Sequence, residues 1–373
     1  MKTWPIFGIF VIQVILLLAH WFLSHTWIEF WDAPGTNAVL VLRIVLLVLA
    51  FSFVFAALLS FKYSNALVTA IYKVAAIWLG FLNYLFFAAC LSWLTWYIWA
   101  AANISANPSA ARAWILCTWA VVAIAASVYG MVNARGIRTR KIAVTLPGLP
   151  EGWRGRRAVL MSDIHLGHIN GEAFSRRLVA KARALKPDVV FIPGDLFDGT
   201  EVDLDHLVMP FRQLDAQFGT FFTTGNHEEF GGTAEKVRAV ARAGMRVLQN
   251  EKVTIDGLHI GGVPWGDSLS PIRLQAVLEK MQFNPSEASI LLNHMPSRLP
   301  IVERAGVSLQ LSGHTHGGQV FPFTWMTRRV FGRFTYGLHR FGALQVYTST
   351  GAGTWGPPMR VGTHPEIVLI EFS

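Results

Sequence analysis

Four apolar runs occupy the first third of the chain, near 4–23, 38–59, 74–97 and 114–131. A bilayer core takes about 20 apolar residues of helix, and within it only helices and closed barrels satisfy their own backbone. Each run therefore predicts a membrane-spanning helix. Before Arg135 the only acidic residues are Glu29 and Asp32, whereas charge is frequent beyond it. A whole-chain content of 53% hydrophobic residues, with mean hydropathy +0.40 over 373 residues, thus averages two unlike halves. The first run is longer than the apolar core of a signal peptide and has bulky residues where cleavage needs small ones, so it is expected to be retained. The two cysteines, Cys90 and Cys117, lie in apolar runs and exclude a disulfide framework.

Basic residues beside the spans set the expected orientation. Lys2, Lys62, Lys73, Arg135, Arg138, Arg140 and Lys141 share one side, and Glu29 and Asp32 lie opposite. Both termini are then cytoplasmic, at the inner cell membrane. Arg112 breaks the pattern, and Arg43, inside the second span, is read as snorkelling to the nearer interface. Trp21, Trp27, Trp31, Trp93, Trp96, Tyr97 and Trp99 gather near the outer edges, as interfacial aromatics do. With no chain of intramembrane acids and no paired broken helices, a transporter has little support.

The organisation expected is a four-helix transmembrane domain (1–132), a linker with an opening strand (133–156) and an α/β domain (157–373). In the linker Ile142, Val144 and Leu146 alternate like a strand until Pro147 breaks it. Beyond it, apolar strands are expected at 158–162, 189–192, 220–223, 258–263, 289–292, 308–311, 344–348 and 367–372. Helices are expected at 173–185, 233–243 (with a threonine cap) and 271–281.

Five of the apolar runs end in metal-ligating residues. They lead into Asp163 and His165; Asp195; Asn226 and His227; His294; and His314 and His316, which sit in the glycine-bounded turn Gly313-His314-Thr315-His316-Gly317-Gly318. Residues two apart in extended chain share a face, so Asp163 and His165 are expected to reach one ion from a strand. Asp195 can bridge two cations with its oxygens. Asp163, His165, Asp195, Asn226, His294, His314 and His316, seven side chains of this mixed nitrogen and oxygen type, suit two divalent ions, manganese first, with iron, zinc, magnesium or calcium open. Such a pair supports phosphoester hydrolysis without a covalent enzyme intermediate.

The order Asp-x-His, Gly-Asp-x-x-Asp, Gly-Asn-His-Glu, a lone His and Gly-His-x-His resembles the calcineurin-like metallophosphoesterase superfamily over roughly 157–373. Gly317-Gly318-Gln319 and Ser349-Thr350-Gly351-Ala352-Gly353 resemble its membrane-associated YkuE/YaeI-like branch, and a vertebrate-type transmembrane protein with such a domain has a similar layout. The resemblance implies a sandwich of two mixed β-sheets flanked by helices. It implies one metal on Asp163, His165, Asp195 and His316, and another on Asp195, Asn226, His294 and His314. It also implies that His227 faces the substrate, stabilising charge or protonating the leaving oxygen, with Asp198 and Glu228 supporting the site.

Departures narrow the class. Gly199 follows Asp198 and Thr224 precedes Gly225 where phosphoprotein phosphatases carry arginines, and Phe197 stands where purple acid phosphatases carry tyrosine. Protein phosphatase activity and an iron-tyrosinate centre are accordingly not expected. His206, His259 and His339 are assigned no role, while His168 is weighed as a substrate contact.

Between 320 and 341, Phe321, Phe323, Trp325, Met326, Phe331, Phe334 and Tyr336 interleave with Arg328, Arg329, Arg333 and Arg340. That mixture suits an anionic membrane surface; the alternative is that the aromatics pack the domain's edge. Basic and aromatic residues together also bind nucleic acid, and the net charge of +9 permits it. The four spans favour a lipid, so nucleic acid is not the expected partner. The expectation is a membrane phosphoesterase facing the cytoplasm, cleaving a phosphodiester or pyrophosphate of a lipid or lipid-linked nucleotide. A nuclease, and a receptor or scaffold that binds a phosphorylated ligand without turnover, are the alternatives.

Overall fold

The computed structural model describes residues 4–31, 35–102, 107–230 and 232–373. The chain divides into two compact units, 1–132 with 356–359, and 133–355 with 360–373. Lys2 and Asp32, which entered the orientation argument, lie outside the described residues.

The first unit is built on α1 (Trp4–Phe30), α2 (Thr36–Ser60), α3 (Ala66–Ala101) and α4 (Pro108–Arg135). All four are long and apolar enough to cross a membrane, the mark of a multi-pass membrane protein. Each extends past its expected span, because flanks too polar for the bilayer core still lack a helix breaker. At 36 residues, α3 rises ~54 Å, well beyond a hydrocarbon core of about 30 Å. Asn65 caps α3, its Oδ1 accepting the Val68 N–H at 3.0 Å. Indole N–H groups tie the helices together: Trp78 donates to His20 Nε2 (2.9 Å), Trp93 to Thr26 Oγ1 (3.0 Å) and Trp119 to Thr95 Oγ1 (3.0 Å). Bonds of this kind contribute about 0.6–2 kcal/mol each in a bilayer.

The second unit carries twelve strands among its described residues. They are β1 (Arg138–Val144), β2 (Arg157–Leu160), β3 (Val189–Ile192), β4 (Thr220–Phe222), β5 (Arg246–Val247), β6 (Glu251–Ile255), β7 (Leu258–Val263), β8 (Ser289–Asn293), β9 (Leu309–Ser312), β10 (Gly337–Phe341), β11 (Leu344–Thr348) and β12 (Glu366–Phe372). Between them run α5 (Glu172–Ala184), α6 (Leu204–Val208), α7 (Asn226–Glu229), α8 (Thr233–Arg242), α9 (Trp265–Leu269), α10 (Pro271–Met281), α11 (Leu299–Arg304) and α12 (Phe323–Phe331).

Two six-stranded sheets result, ordered β1-β12-β2-β3-β4-β5 and β10-β11-β9-β8-β7-β6. Pairing is parallel from β2 through β5 and from β7 through β9, and antiparallel at β12–β2, β6–β7 and β10–β11. Both sheets are therefore mixed. The central strands are buried on both faces, which is why Val189-Val190-Phe191-Ile192 is a continuous apolar run. Leu160, Phe191, Phe221, Ile290, Leu292 and Leu311 meet between the sheets. Leu178, Val179 and Val240 of α5 and α8 pack on the outside of the first sheet, and Leu274, Leu278 and Val302 of α10 and α11 on the outside of the second. This is the expected sandwich.

Two local expectations are corrected. Thr233 is the first helical residue of α8; the cap is Gly232, in the left-handed region at φ 70° with no side-chain bond. Strand β2 stops at Leu160, short of Ser162.

Candidate metal centre

Strands β2, β3, β4, β8 and β9 each hand over to a first predicted ligand within four residues of their ends. Asp163 and His165 follow β2, Asp195 follows β3, Asn226 opens α7 after β4, His294 follows β8, and His314 and His316 follow β9. The structure brings all seven together. In one group His165 Nε2 lies 3.0 Å from His316 Nε2 and 3.8 Å from Asp195 Oδ2, with His316 Nε2 3.5 Å from Asp163 Oδ1. In the other, His294 Nε2 lies 3.1 Å from Asp195 Oδ2 and 3.2 Å from Asn226 Oδ1, which is itself 3.0 Å from His314 Nδ1. Asp195 belongs to both.

Backbone geometry, more than strand alternation, aims these side chains. Asp163, His165, Asp195, His314 and His316 all have positive φ, between 49° and 69°. Left-handed backbone costs an L-residue about 1–2 kcal/mol. The pair Asp163 and His165 therefore meets through a curled loop, and the expectation of an extended strand there is wrong.

Hydrogen bonds hold the curl. Ile164 and His165 donate their N–H groups to the Asp195 carbonyl (2.8 and 3.1 Å). Asp163 Oδ1 accepts from His314 N (2.8 Å), and Asp195 Oδ1 from His227 N (2.9 Å). Glu228, fully buried, accepts the N–H groups of Asp195 (2.8 Å), Gly225 (2.8 Å) and Phe197 (3.0 Å). Close approach also requires glycine. A Cβ at Gly313 would fall 2.0 Å from Asp163 Oδ2, and one at Gly225 would fall 2.2 Å from Asp195 Oδ1.

The electrostatics are those of buried charge in need of a cation. Burial, then neighbouring histidines, hold the His165 and His316 pKa values well below the usual imidazole range, so both rings are neutral donors. Burial lowers His314 to about 4 and raises Asp163 to about 6. For His294 burial acts downward, but the Asp195 carboxylate overrides it and the pKa rises to about 9. In the ion-free chain a proton on His294 thus offsets Asp195, and a metal ion competes for that place. Asp163 Oδ2 is buried with no hydrogen-bond partner among the described residues.

Two neutral imidazoles facing each other and two carboxylates suit a shared divalent ion. Ligands of a common ion at about 2.0–2.2 Å stand roughly 3–3.6 Å apart, and every separation quoted above falls there except His165 to Asp195, which is slightly longer at 3.8 Å. The residues present fit a two-ion centre.

His227 is buried, with its ring centroid 4.7 Å from that of His165 and 5.5 Å from that of Trp355. Its Nδ1 lies 2.7 Å from the Asp198 carbonyl oxygen, which can only accept, so Nδ1 carries the proton and Nε2 is left for another partner. The Asp198 carboxylate instead accepts from Thr200 N at 2.9 Å. Elsewhere, His168 is buried, His206 reaches Glu172 (3.1 Å), His259 reaches Glu287 (3.0 Å), and His339 Nε2 meets the Tyr336 carbonyl (2.9 Å).

The sequence reading missed Arg360. Its fully buried guanidinium donates to the carbonyls of His316 (3.2 Å) and Gly353 (2.6 Å), bracing the turn that carries His316. Burial lowers its pKa to about 10, against the pull of Asp163 and Glu366. A lone arginine 44 positions after the histidine turn, outside any ligand motif, gives no signal that could have found it.

A family model of calcineurin-like phosphoesterases matches residues 156–318. An uncharacterized metallophosphoesterase of Campylobacter jejuni is 32% identical over 252 residues, covering 66% of this chain and 66% of that one. A transmembrane protein with metallophosphoesterase domain from Danio rerio is 32% identical over 273 residues (68% and 61%). The uncharacterized metallophosphoesterase YkuE of Bacillus subtilis is 30% identical over 256 residues (64% and 86%). The chain thus spans just under two thirds of the length of the first two relatives and most of YkuE. The family model and these relatives agree: the chain belongs to the calcineurin-like metallophosphoesterase family.

Proposed function

We propose that the protein is a membrane-bound phosphoesterase with two divalent ions, manganese first among them. It cleaves a phosphodiester or pyrophosphate of a lipid or lipid-linked nucleotide at the cytoplasmic face of the inner membrane. The observation that carries the reading is the division of seven donors, four of them buried and three half-buried, into two groups that share Asp195. Asp163, His165, Asp195 and His316 hold one ion; Asp195, Asn226, His294 and His314 hold the other. When bound, the pair activates water and neutralises the phosphoryl oxygens.

The protein's own groups do the rest. Glu228 fixes the turns that carry Asp195 and Asn226. His227, whose Nδ1–H donates to the Asp198 carbonyl, presents Nε2 to the substrate, and in its imidazolium form it passes the Nε2 proton to the leaving oxygen and is left as the neutral ring. A lipid substrate is supported by the apolar helices of the first unit and by exposed Phe323, Trp325 and Met326 on α12. The orientation is supported by Lys62, Lys73, Arg138, Arg140 and Lys141, clustered in sequence on one side of the spans.

Full-length protein in detergent should hydrolyse a nitrophenyl phosphodiester when given manganese. Asp195→Asn should abolish turnover while circular dichroism stays native. Undiminished turnover in that variant, or in thorough chelator, sinks the proposal. Comparing liposome-borne phospholipid with single-stranded DNA then decides the substrate class.

A further inference from the structure

Apart from the ligand cluster, the second unit has a cavity of about 820 Å³ where the edge strands of its two sheets, β1 and β10, approach α12. Its walls carry Arg138 and Arg140 from β1, Arg328 from α12 and Arg333 from the turn that follows. Arg138 and Arg140 are two apart on an extended strand, so their side chains project to the same side. Among the described residues no ion pair involves any of these four arginines. Among the described residues Arg333 donates only to the Arg340 carbonyl (2.7 Å).

One carboxylate lines the cavity, and it is committed elsewhere. Glu366 accepts from Tyr336 Oη, Tyr347 Oη and Ser349 Oγ, each at 3.1 Å, and from Thr350 N at 3.3 Å. The excess of positive charge is felt locally: burial first, then Arg138 and Arg360, hold His364 on the cavity wall below the usual imidazole range. An uncompensated cluster of guanidinium groups in a cleft of this size is built to receive phosphate oxygens.

Helix α12 says where the phosphate comes from. It has no buried residue, and Phe323, Trp325, Met326 and Val330 are exposed on it, with Phe321 exposed just before it. Arg329 stacks on the Trp325 ring at 4.5 Å. A short helix with apolar and aromatic groups outward and arginines beside them has the composition of an element lying in a lipid interface. In the chain, Arg138 is the third residue after Arg135, the end of α4.

We propose that this cavity, whose wall includes Gly317 beside His316 but none of the seven metal-ligating side chains, is an anion site separate from those side chains, which seats the headgroup phosphate of an anionic membrane lipid while α12 lies in the interface. It requires no hydrolysis at the metal centre. A lipid held there places the second unit against anionic membrane, whether or not that lipid is the one cleaved.

Native mass spectrometry of the full-length protein in detergent, titrated with phosphatidylglycerol or phosphatidylcholine, tests it. Retention of phosphatidylglycerol should exceed that of phosphatidylcholine. At about 1 kcal/mol per basic residue, Arg138→Gln with Arg140→Gln should weaken phosphatidylglycerol retention by tenfold or more and leave phosphatidylcholine unchanged. Arg328→Gln with Arg333→Gln, on another element, should do the same, so one pair decides if the other misfolds. Wild-type retention in a folded pair overturns the proposal. Displacement of the lipid by equimolar inorganic phosphate overturns the lipid assignment, because a soluble anion would then be the better ligand.

Discussion

Glu228 is the side chain on which three strand-end turns depend at once, through the N–H groups of Asp195, Gly225 and Phe197. Its Oε2 takes two of them and Oε1 the third. Glu228→Gln turns one acceptor into a donor facing donors and should destabilise the second unit by about 1–3 kcal/mol, read by chemical denaturation. An unchanged midpoint would mean the turns hold themselves. Gly313→Ala acts on the centre directly, because its Cβ would sit 2.0 Å from Asp163 Oδ2. Manganese affinity by titration calorimetry should fall by about 10–100-fold, the range expected when a ligand's support is disturbed. At this scale the convergence of the seven side chains was legible, since Asp, Asn and His occur in motif order at strand ends. Their left-handed backbone was not, because nothing local in Asp163-Ile164-His165 distinguishes a curl from an extended strand; hydrogen bonds to Asp195, 30 or more residues away, decide it.

At the scale of elements, the two sheets must hold their separation for the centre to exist. Asp163, Asp195 and Asn226 come from the first sheet, and His294, His314 and His316 from the second. Leu292, fully buried between the sheets on β8, is two residues from His294. Leu292→Ala should cost about 2–5 kcal/mol in stability through the cavity it leaves. The slack should also weaken manganese binding; a destabilised variant with undiminished affinity would show that the loops fix the centre without the sheets. The strands that matter here were the readable ones. Val189-Val190-Phe191-Ile192 and Ser289-Ile290-Leu291-Leu292 are apolar runs because both faces are covered. Two-residue β5 and half-exposed β6 and β10 carry no such run, and α12, whose apolar residues face outward, breaks the rule by which helices are read.

The whole molecule joins a helical unit without a dense cluster of charge to an α/β unit that buries several carboxylates in one place. In the ion-free state Asp163 and Asp195 are both fully buried, and burial pushes the Asp163 pKa up to about 6, a sign that its charge is poorly tolerated. Ions that bind the folded unit and not the unfolded chain stabilise it by mass action, ~2.7 kcal/mol when present at one hundred times their dissociation constant. For a unit of this size each kcal/mol moves the midpoint by about 2–4 °C. Full-length protein in detergent should therefore show a transition about 5–10 °C lower in chelator than in manganese. The change should lie in the second unit, because the helices of the first draw their cohesion from contacts such as Trp78 to His20 that no ion touches. Hydrogen exchange resolved along the chain separates the two: protection at β2, β3 and β8 should fall on chelation while that of α1 to α3 stays constant. Equal protection at those strand ends with and without metal would mean that no buried ion completes them, and the dinuclear centre would have to be abandoned.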